Sequence, residues 1–216
     1  MAKSSKENTY EKIISASIKL FNEQGERYIT TNHIVAYLGI SPGNLYYYFQ
    51  NKEEIIKEIF KRYEEELLEF VQGAVPEIEG YAAFRYIFKI LDIIWNYRFI
   101  FTDLSVLLEK NEPLNEMQRD YINNKIAPLI NHYFDLFIGN GLILMNPIDL
   151  KIFKNNFWLL IRYWFDYDKR VRGELNQDSK LRGSIHVLGL LKPYLSEEDK
   201  LIFDEIYLKL SQGIDL

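Results

Sequence analysis

Residues 30–52 read TTNHIVAYLGISPGNLYYYFQNK, and their punctuation decides the fold of the first part of the chain. Thr30 or Thr31 can cap a short helix carrying Ile34, Val35 and Leu38, which Gly39 ends. Ser41 caps the next helix, and Pro42 takes its first position, where the missing N–H costs nothing. Leu45 and Phe49, four residues apart, share a buried side, so Pro42, Asn44, Tyr46 and Tyr47 point largely elsewhere. Gly43 lies inside this helix, where glycine costs about 1 kcal/mol relative to alanine. Close approach of the backbone to a groove wall or a base edge would explain it.

Upstream, Ile13, Ile14, Ala16, Ser17, Leu20 and Phe21 follow the helical period, and Gly25 falls where a C-terminal cap belongs. Downstream, Asn51 opens a long helix through Ile55, Ile56, Ile59, Phe60, Tyr63, Leu67, Phe70 and Val71. Glu64, Glu65 and Glu66 are expected on its outer side. Three short helices with a glycine-bounded turn between the second and third match a helix-turn-helix module. Gly73, Pro76 and Gly80 break the pattern, which predicts a DNA-binding domain over 1–62, a linking helix to about 75, and a helical body over 76–216.

In that body the helical period returns over 81–95, 104–109 and 115–137, where Pro128 should bend or divide the segment. A helix opening at Asn146, Pro147 and Asp149 runs to about Val171, and two more cover 184–191 and 196–210. Gly139-Asn140-Gly141 reads as a turn. Strand alternation is lacking, so the expected fold is all-α with about ten helices: a three-helix head followed by a larger helical ligand-binding and dimerisation domain.

The stretch 30–52 closely resembles the DNA-binding region of the tetracycline-repressor (TetR) family. The resemblance reaches upstream to Ile14, Ala16, Leu20, Phe21 and Gly25, downstream to Ile55, and covers roughly residues 9–60. It is sharpest in Ser41-Pro42-Gly43-Asn44-Leu45-Tyr46-Tyr47-Tyr48-Phe49 with Asn51-Lys52. Many members carry alanine where Leu38 stands and histidine where Tyr48 stands. The resemblance implies a homodimer whose two third helices enter successive major grooves of a palindromic operator, usually blocking transcription until a ligand in the body moves the fourth helix.

Chemistry supports the same residues independently. Helix N-termini offer unpaired N–H groups and partial positive charge, so the starts of the second and third helices suit phosphate, with hydroxyls from Thr30, Thr31 and Ser41. Asn44 can pair with adenine in the major groove, while Tyr46, Tyr47 and Tyr48 can rest on a thymine methyl or bond a phosphate. Lys52 is placed to meet backbone phosphate as a point charge. The expected DNA-binding set is therefore Thr30, Thr31, Ser41, Pro42, Gly43, Asn44, Tyr46, Tyr47, Tyr48 and Lys52. A plain packing cluster is the competing reading of the three tyrosines. His33 is read as an exposed residue without a task.

Composition narrows the remaining classes. The 216 residues are 48% apolar and 15% aromatic, enough for a real core and a pocket lining. Residues 1–62 hold 9 Lys+Arg against 7 Asp+Glu, leaving 17 against 24 for the rest, so a slightly basic head sits on an acidic body. With no cysteine there is neither a disulfide nor a thiolate metal site, which suits a reducing cytoplasm. No secretory leader and no membrane span is read, and no metal or cofactor is expected. G-x-S-x-G, H-E-x-x-H and phosphate-loop patterns are missing, and His33, His132 and His186 lie far apart, which disfavours an enzyme. A helical carrier without DNA binding is the other alternative, but it leaves the third helix unexplained.

Two aromatic clusters mark the body: Trp95, Tyr97, Phe99 and Phe101, then Phe157, Trp158, Tyr163, Trp164, Phe165 and Tyr167. They read either as core and dimer packing or as a large apolar pocket. The expected effector-binding set is Trp95, Arg98, Phe99, Phe157, Trp158, Arg162, Trp164 and Asp166, for a hydrophobic small molecule with one polar or anionic end. Arg162 and Asp166 have the spacing of a helical ion pair. Phe153, Phe157, Leu160, Ile161 and Trp164 are expected to supply a dimerisation stripe.

Overall fold

The computed structural model describes residues 2–73, 81–102 and 104–212. Among these residues the chain forms α1 (Ala2–Gln24), α2 (Thr31–Leu38), α3 (Pro42–Tyr46), α4 (Lys52–Gly73), α5 (Tyr81–Asn96) and α6 (Arg98–Thr102). It continues with α7 (Leu104–Glu109), α8 (Glu112–Asp120), α9 (Ala127–Gly139), α10 (Pro147–Arg172), α11 (Gln177–Gly189) and α12 (Glu197–Ser211). The all-α expectation holds: the extended pairing among the described residues is an isolated bridge between Ile143 and Leu195. The expected boundary near residue 75, with Pro76 and Gly80, falls outside the described residues.

Local chemistry sets the ends of the head helices. Thr30 Oγ1 accepts from the His33 backbone N–H at 3.4 Å, while the Thr30 N–H donates to His33 Nδ1 at 3.2 Å, a reciprocal cap. His33, read as idle, therefore holds the start of α2. Gly39 ends α2 at φ 65°, a left-handed conformation that glycine adopts without a Cβ penalty. Ser41 Oγ accepts from the Asn44 N–H at 3.2 Å and opens α3, and Asn51 Oδ1 accepts from the Glu54 N–H at 2.9 Å at the start of α4.

Ile13, Ile14, Ile34, Leu45, Ile55 and Ile59 are fully buried in the head, and the same core continues into the body. Phe21 meets Phe99 with ring centroids 5.1 Å apart. Asn22 clamps α1 to the start of α6, donating to Asn96 O at 2.7 Å and accepting from the Phe99 N–H at 3.0 Å. A shift of the body at α6 is thus felt by α1.

Pro128 divides the predicted 115–137 helix, and the form of the division is informative. Residues Tyr121–Ile126 adopt a π-helix, and the Ala127 N–H reaches back to Ile122 O. Proline has no N–H and its ring crowds the carbonyl one turn before it, so a wider turn just ahead of Pro128 accommodates it. That widened segment packs on α4.

The last long helices are joined by a buried ion pair. Arg182 donates from Nε to Asp168 Oδ1 at 3.0 Å and from Nη2 to Asp168 Oδ2 at 2.7 Å, with side chains 4% and 3% exposed. Arg182 also donates to Ser179 Oγ at 3.2 Å. Asn176 caps α11 by accepting from the Asp178 N–H at 3.1 Å, so this helix begins well before the predicted Ser184. Trp164 donates to Ser179 O at 2.7 Å, and a Cβ on Gly183 would stand 2.7 Å from its ring, so only glycine admits this approach.

Candidate nucleic-acid interface and effector pocket

The α3 surface is built by burying one side of five residues. Leu45 is fully buried and Phe49 nearly so, with Phe49 stacked on Tyr10 at 5.0 Å. Ser41, Pro42, Gly43, Asn44, Tyr46 and Tyr47 are left exposed. Tyr46 and Tyr47 are 49% and 65% exposed, unusual for rings that have an available core. Tyr46 and Thr31 hydroxyls lie 3.2 Å apart and couple α3 to the start of α2. Tyr48 is half-buried, edge-on to Tyr47 at 4.9 Å and to Tyr10 at 6.1 Å. For Tyr48 the packing reading therefore has substance, whereas Tyr46 and Tyr47 present their rings to solvent.

Gly43 adds a second argument. A Cβ built there meets nothing within 4 Å inside the subunit. No internal contact demands glycine, so its helix cost is compatible with an external surface coming close. Thr30 and Ser41 use their oxygens as acceptors for their own helices, yet each hydroxyl hydrogen stays available to an outside acceptor.

Lys52 departs from expectation. Its ammonium lies 2.5 Å from Glu26 Oε1 and donates to Glu26 O at 3.1 Å, with the lysine side chain 21% exposed. The outward point charge read from the sequence is corrected to an internal strut between the start of α4 and the turn after α1. The carboxylate in that turn offers a nearer counter-charge.

The eight expected effector residues do not share one lining. Trp158 and Arg162 line a cavity of about 590 Å³ with Tyr63, Leu67, Phe101, Gln118, Tyr121, Ile126 and Tyr163. Arg98, Phe99 and Asp166 instead line a polar cleft of about 740 Å³ at the junction of α1, α6 and the end of α10. Trp95, Phe157 and Trp164 line neither. Trp95 packs on Phe165 at 5.5 Å, Phe157 on Phe134 at 5.5 Å, and Trp164 on His186 at 4.9 Å. These three are core, because each faces inward from a helix covered on that side.

The expected Arg162–Asp166 ion pair is also corrected. Asp166 takes Arg170 at 2.8 Å, while Arg162 donates from Nη2 to the Gln118 Oε1 at 3.3 Å. Arg98 stacks over Trp95 at 4.4 Å and donates to Trp95 O at 3.1 Å, and loss of solvent pulls its pKa down. Phe153, Phe157, Ile161 and Trp164, expected to form a dimerisation stripe, are buried within the subunit. The apolar residues that α10 leaves exposed are Ile148, Ile152, Leu159, Tyr163, Tyr167 and Val171, spaced by four and seven.

Glu64 is the largest departure along α4. It is 7% exposed rather than outward, and its Oε1 has no hydrogen-bond partner among the described residues. Burial pushes its carboxyl up to about 7, with Asp120 and Glu65 adding to the rise and Lys125 opposing it. The signal was present in the spacing, since Glu64 stands four after Phe60 and three before Leu67, on the buried stripe. Beside it, Tyr121 is 3% exposed with an unpartnered hydroxyl, and burial raises its pKa.

The chain matches two family models in succession. Bacterial regulatory proteins, tetR family, spans residues 13–59, and the TetR bacterial transcriptional repressor model spans 61–203. A crystal structure of a TetR-family transcriptional regulator from Marinobacter aquaeolei VT8 is 36% identical, with TM-score 0.81, covering 94% of this chain and 98% of that one. An HTH-type transcriptional regulator of Staphylococcus aureus (strain USA300) is 29% identical over 138 residues, 63% of this chain and 71% of its own length. The fatty acid metabolism regulator protein of Bacillus subtilis (strain 168) is 26% identical over 127 residues, 53% of this chain and 62% of its own. Among the described residues no helix is long and apolar enough to cross a membrane.

Proposed function

Because this chain belongs to the TetR family of bacterial transcriptional regulators, we propose that it acts as a ligand-responsive repressor, binding a palindromic operator as a homodimer and leaving it when an effector fills the cavity beside α4. The observation that carries the DNA half is the α3 surface: Leu45 and Phe49 anchor it while Gly43, Asn44, Tyr46 and Tyr47 stay exposed. Asn44 reads a base edge, Tyr46 and Tyr47 meet thymine methyl or phosphate, and Thr30, Thr31, Ser41 and Pro42 seat the adjoining backbone. Residues 1–62 serve as the head and 76–216 as the body.

The exposed α10 stripe supports the dimer, with Leu201 and Leu208 of α12 also exposed and two turns apart. The cavity touches α4 through Tyr63 and Leu67 and touches the dimer stripe through Leu159 and Tyr163. A ligand there would press on the helix that starts at Lys52, directly after α3, and on the surface that spaces the two heads. A coupling of about 1 to 3 kcal/mol between the two sites would suffice for induction, and it must act equally in both directions.

Gel shifts against duplexes from upstream of the gene itself, at two salt concentrations, test the DNA reading. Binding should fall steeply with salt through counterion release. Asn44→Ala should flatten discrimination between operator and mismatched duplex, whereas Tyr47→Phe should weaken both alike. Equal binding by parent and both variants, each folded by circular dichroism, would refute the assigned face.

A further inference from the structure

The cavity beside α4 has a mixed lining in which Arg162 is the one cation among the described residues. Of its lining, Leu67, Phe101, Ile122, Ile126, Ala127, Trp158, Leu159 and Ile161 are apolar. Arg162 is half-buried, and among the described residues no carboxylate lies within ion-pairing distance of it. Its hydrogen-bond partner is the neutral amide oxygen of Gln118, a residue 7% exposed, at 3.3 Å. Tyr121 lines the same cavity, but its hydroxyl is closed off from it, with almost no accessible surface.

A half-buried guanidinium without a counter-ion costs free energy when desolvated. The guanidinium is a donor, so an acceptor group carrying a negative charge would satisfy it. We propose that the effector is an amphiphile with a single carboxylate head, held by Arg162, whose hydrocarbon tail lies along Leu67, Phe101, Ile126 and Trp158. A single cation in the described lining argues against a polyphosphate. Glu64 does not line the cavity.

This inference rests on the effector-pocket reading, and the experiment separates the two. Saturated carboxylates of eight to sixteen carbons and the corresponding alcohols, each below its micelle concentration, are titrated into full-length protein and followed by tryptophan fluorescence, to which Trp158 reports. The best carboxylate should bind at least tenfold more tightly than its alcohol. Arg162→Met should weaken the carboxylate at least tenfold and leave the alcohol within twofold. Alcohols that bind as well as carboxylates, or an Arg162→Met variant that loses both equally, would overturn the head-group assignment and leave the pocket standing. Failure of every compound to bind would overturn both.

Discussion

Replacing Glu64 by glutamine tests whether a carboxyl is stored inside α4 at an energetic cost. The folded carboxyl titrates at about 7 against an ordinary 4.5. Each pKa unit corresponds to about 1.4 kcal/mol, so the ceiling is about 3 kcal/mol, and about half of that if water reaches the second oxygen. The sign follows from which state holds the proton more tightly. Below pH 4.5 both folded and unfolded states are protonated and nothing is lost. Between 4.5 and 7 the unfolded chain ionises first, so parental stability falls as pH rises, and above 7 the full penalty applies. Lys125, Asp120 and Glu65 are the charged groups that modulate this titration, and the substitution leaves them in place.

Urea unfolding at pH 5, 6, 7 and 8, at one fixed protein concentration, measures it. The difference between Glu64→Gln and parent should shift in favour of the variant by about 1.5 to 3 kcal/mol from pH 5 to pH 8. The slope is the readout, because the amide carries its own buried donors and offsets both ends equally. Parallel pH profiles would refute the buried ionisable carboxyl.

The Asp168–Arg182 pair behaves in the opposite sense. Burial pushes the Asp168 carboxyl up, but hydrogen bonds from Arg182 and Ser179 and the charges of Arg182 and Arg172 outweigh it and hold the pKa below the usual carboxylate value. Its stabilisation is present above the unfolded carboxyl pKa and fades as pH falls through the lower folded value. Arg172 Nε stays 3.4 Å from Asp168 Oδ1, so Arg182→Met should cost less than the roughly 3 to 5 kcal/mol of a stranded buried charge, about 2 kcal/mol at neutral pH in urea unfolding, and Asp168→Leu with Arg182→Met should recover much of it. On the proposed dimer face, Ile152→Glu should shift sedimentation toward monomer and weaken operator binding, since two heads would then lose their shared effective concentration. An unchanged sedimentation coefficient at low micromolar protein would move the interface off α10.

What the linear chain determined is what local chemistry controls. Thr30, Gly39, Ser41, Pro42, Asn51, Asn146 and Ser196 are caps and breakers whose effect reaches only a turn or so, and each marks a helix end in the structure. The burial of Leu45 and Phe49 beside exposed Tyr46 and Tyr47 also followed from spacing along one short helix. The direction in which a long helix turns its face is different, since it depends on which neighbours cover it. Thus α10 buries Phe153, Phe157, Ile161 and Trp164 against its own subunit and exposes Ile152, Leu159 and Tyr163, although both sets are apolar. The same rule sends Lys52 to Glu26 and Arg162 to Gln118, because polar groups pair with what folding brings nearest. The cavity's Arg162–Gln118 contact joins α10 to α8 across 44 positions, and only tertiary packing could assemble it.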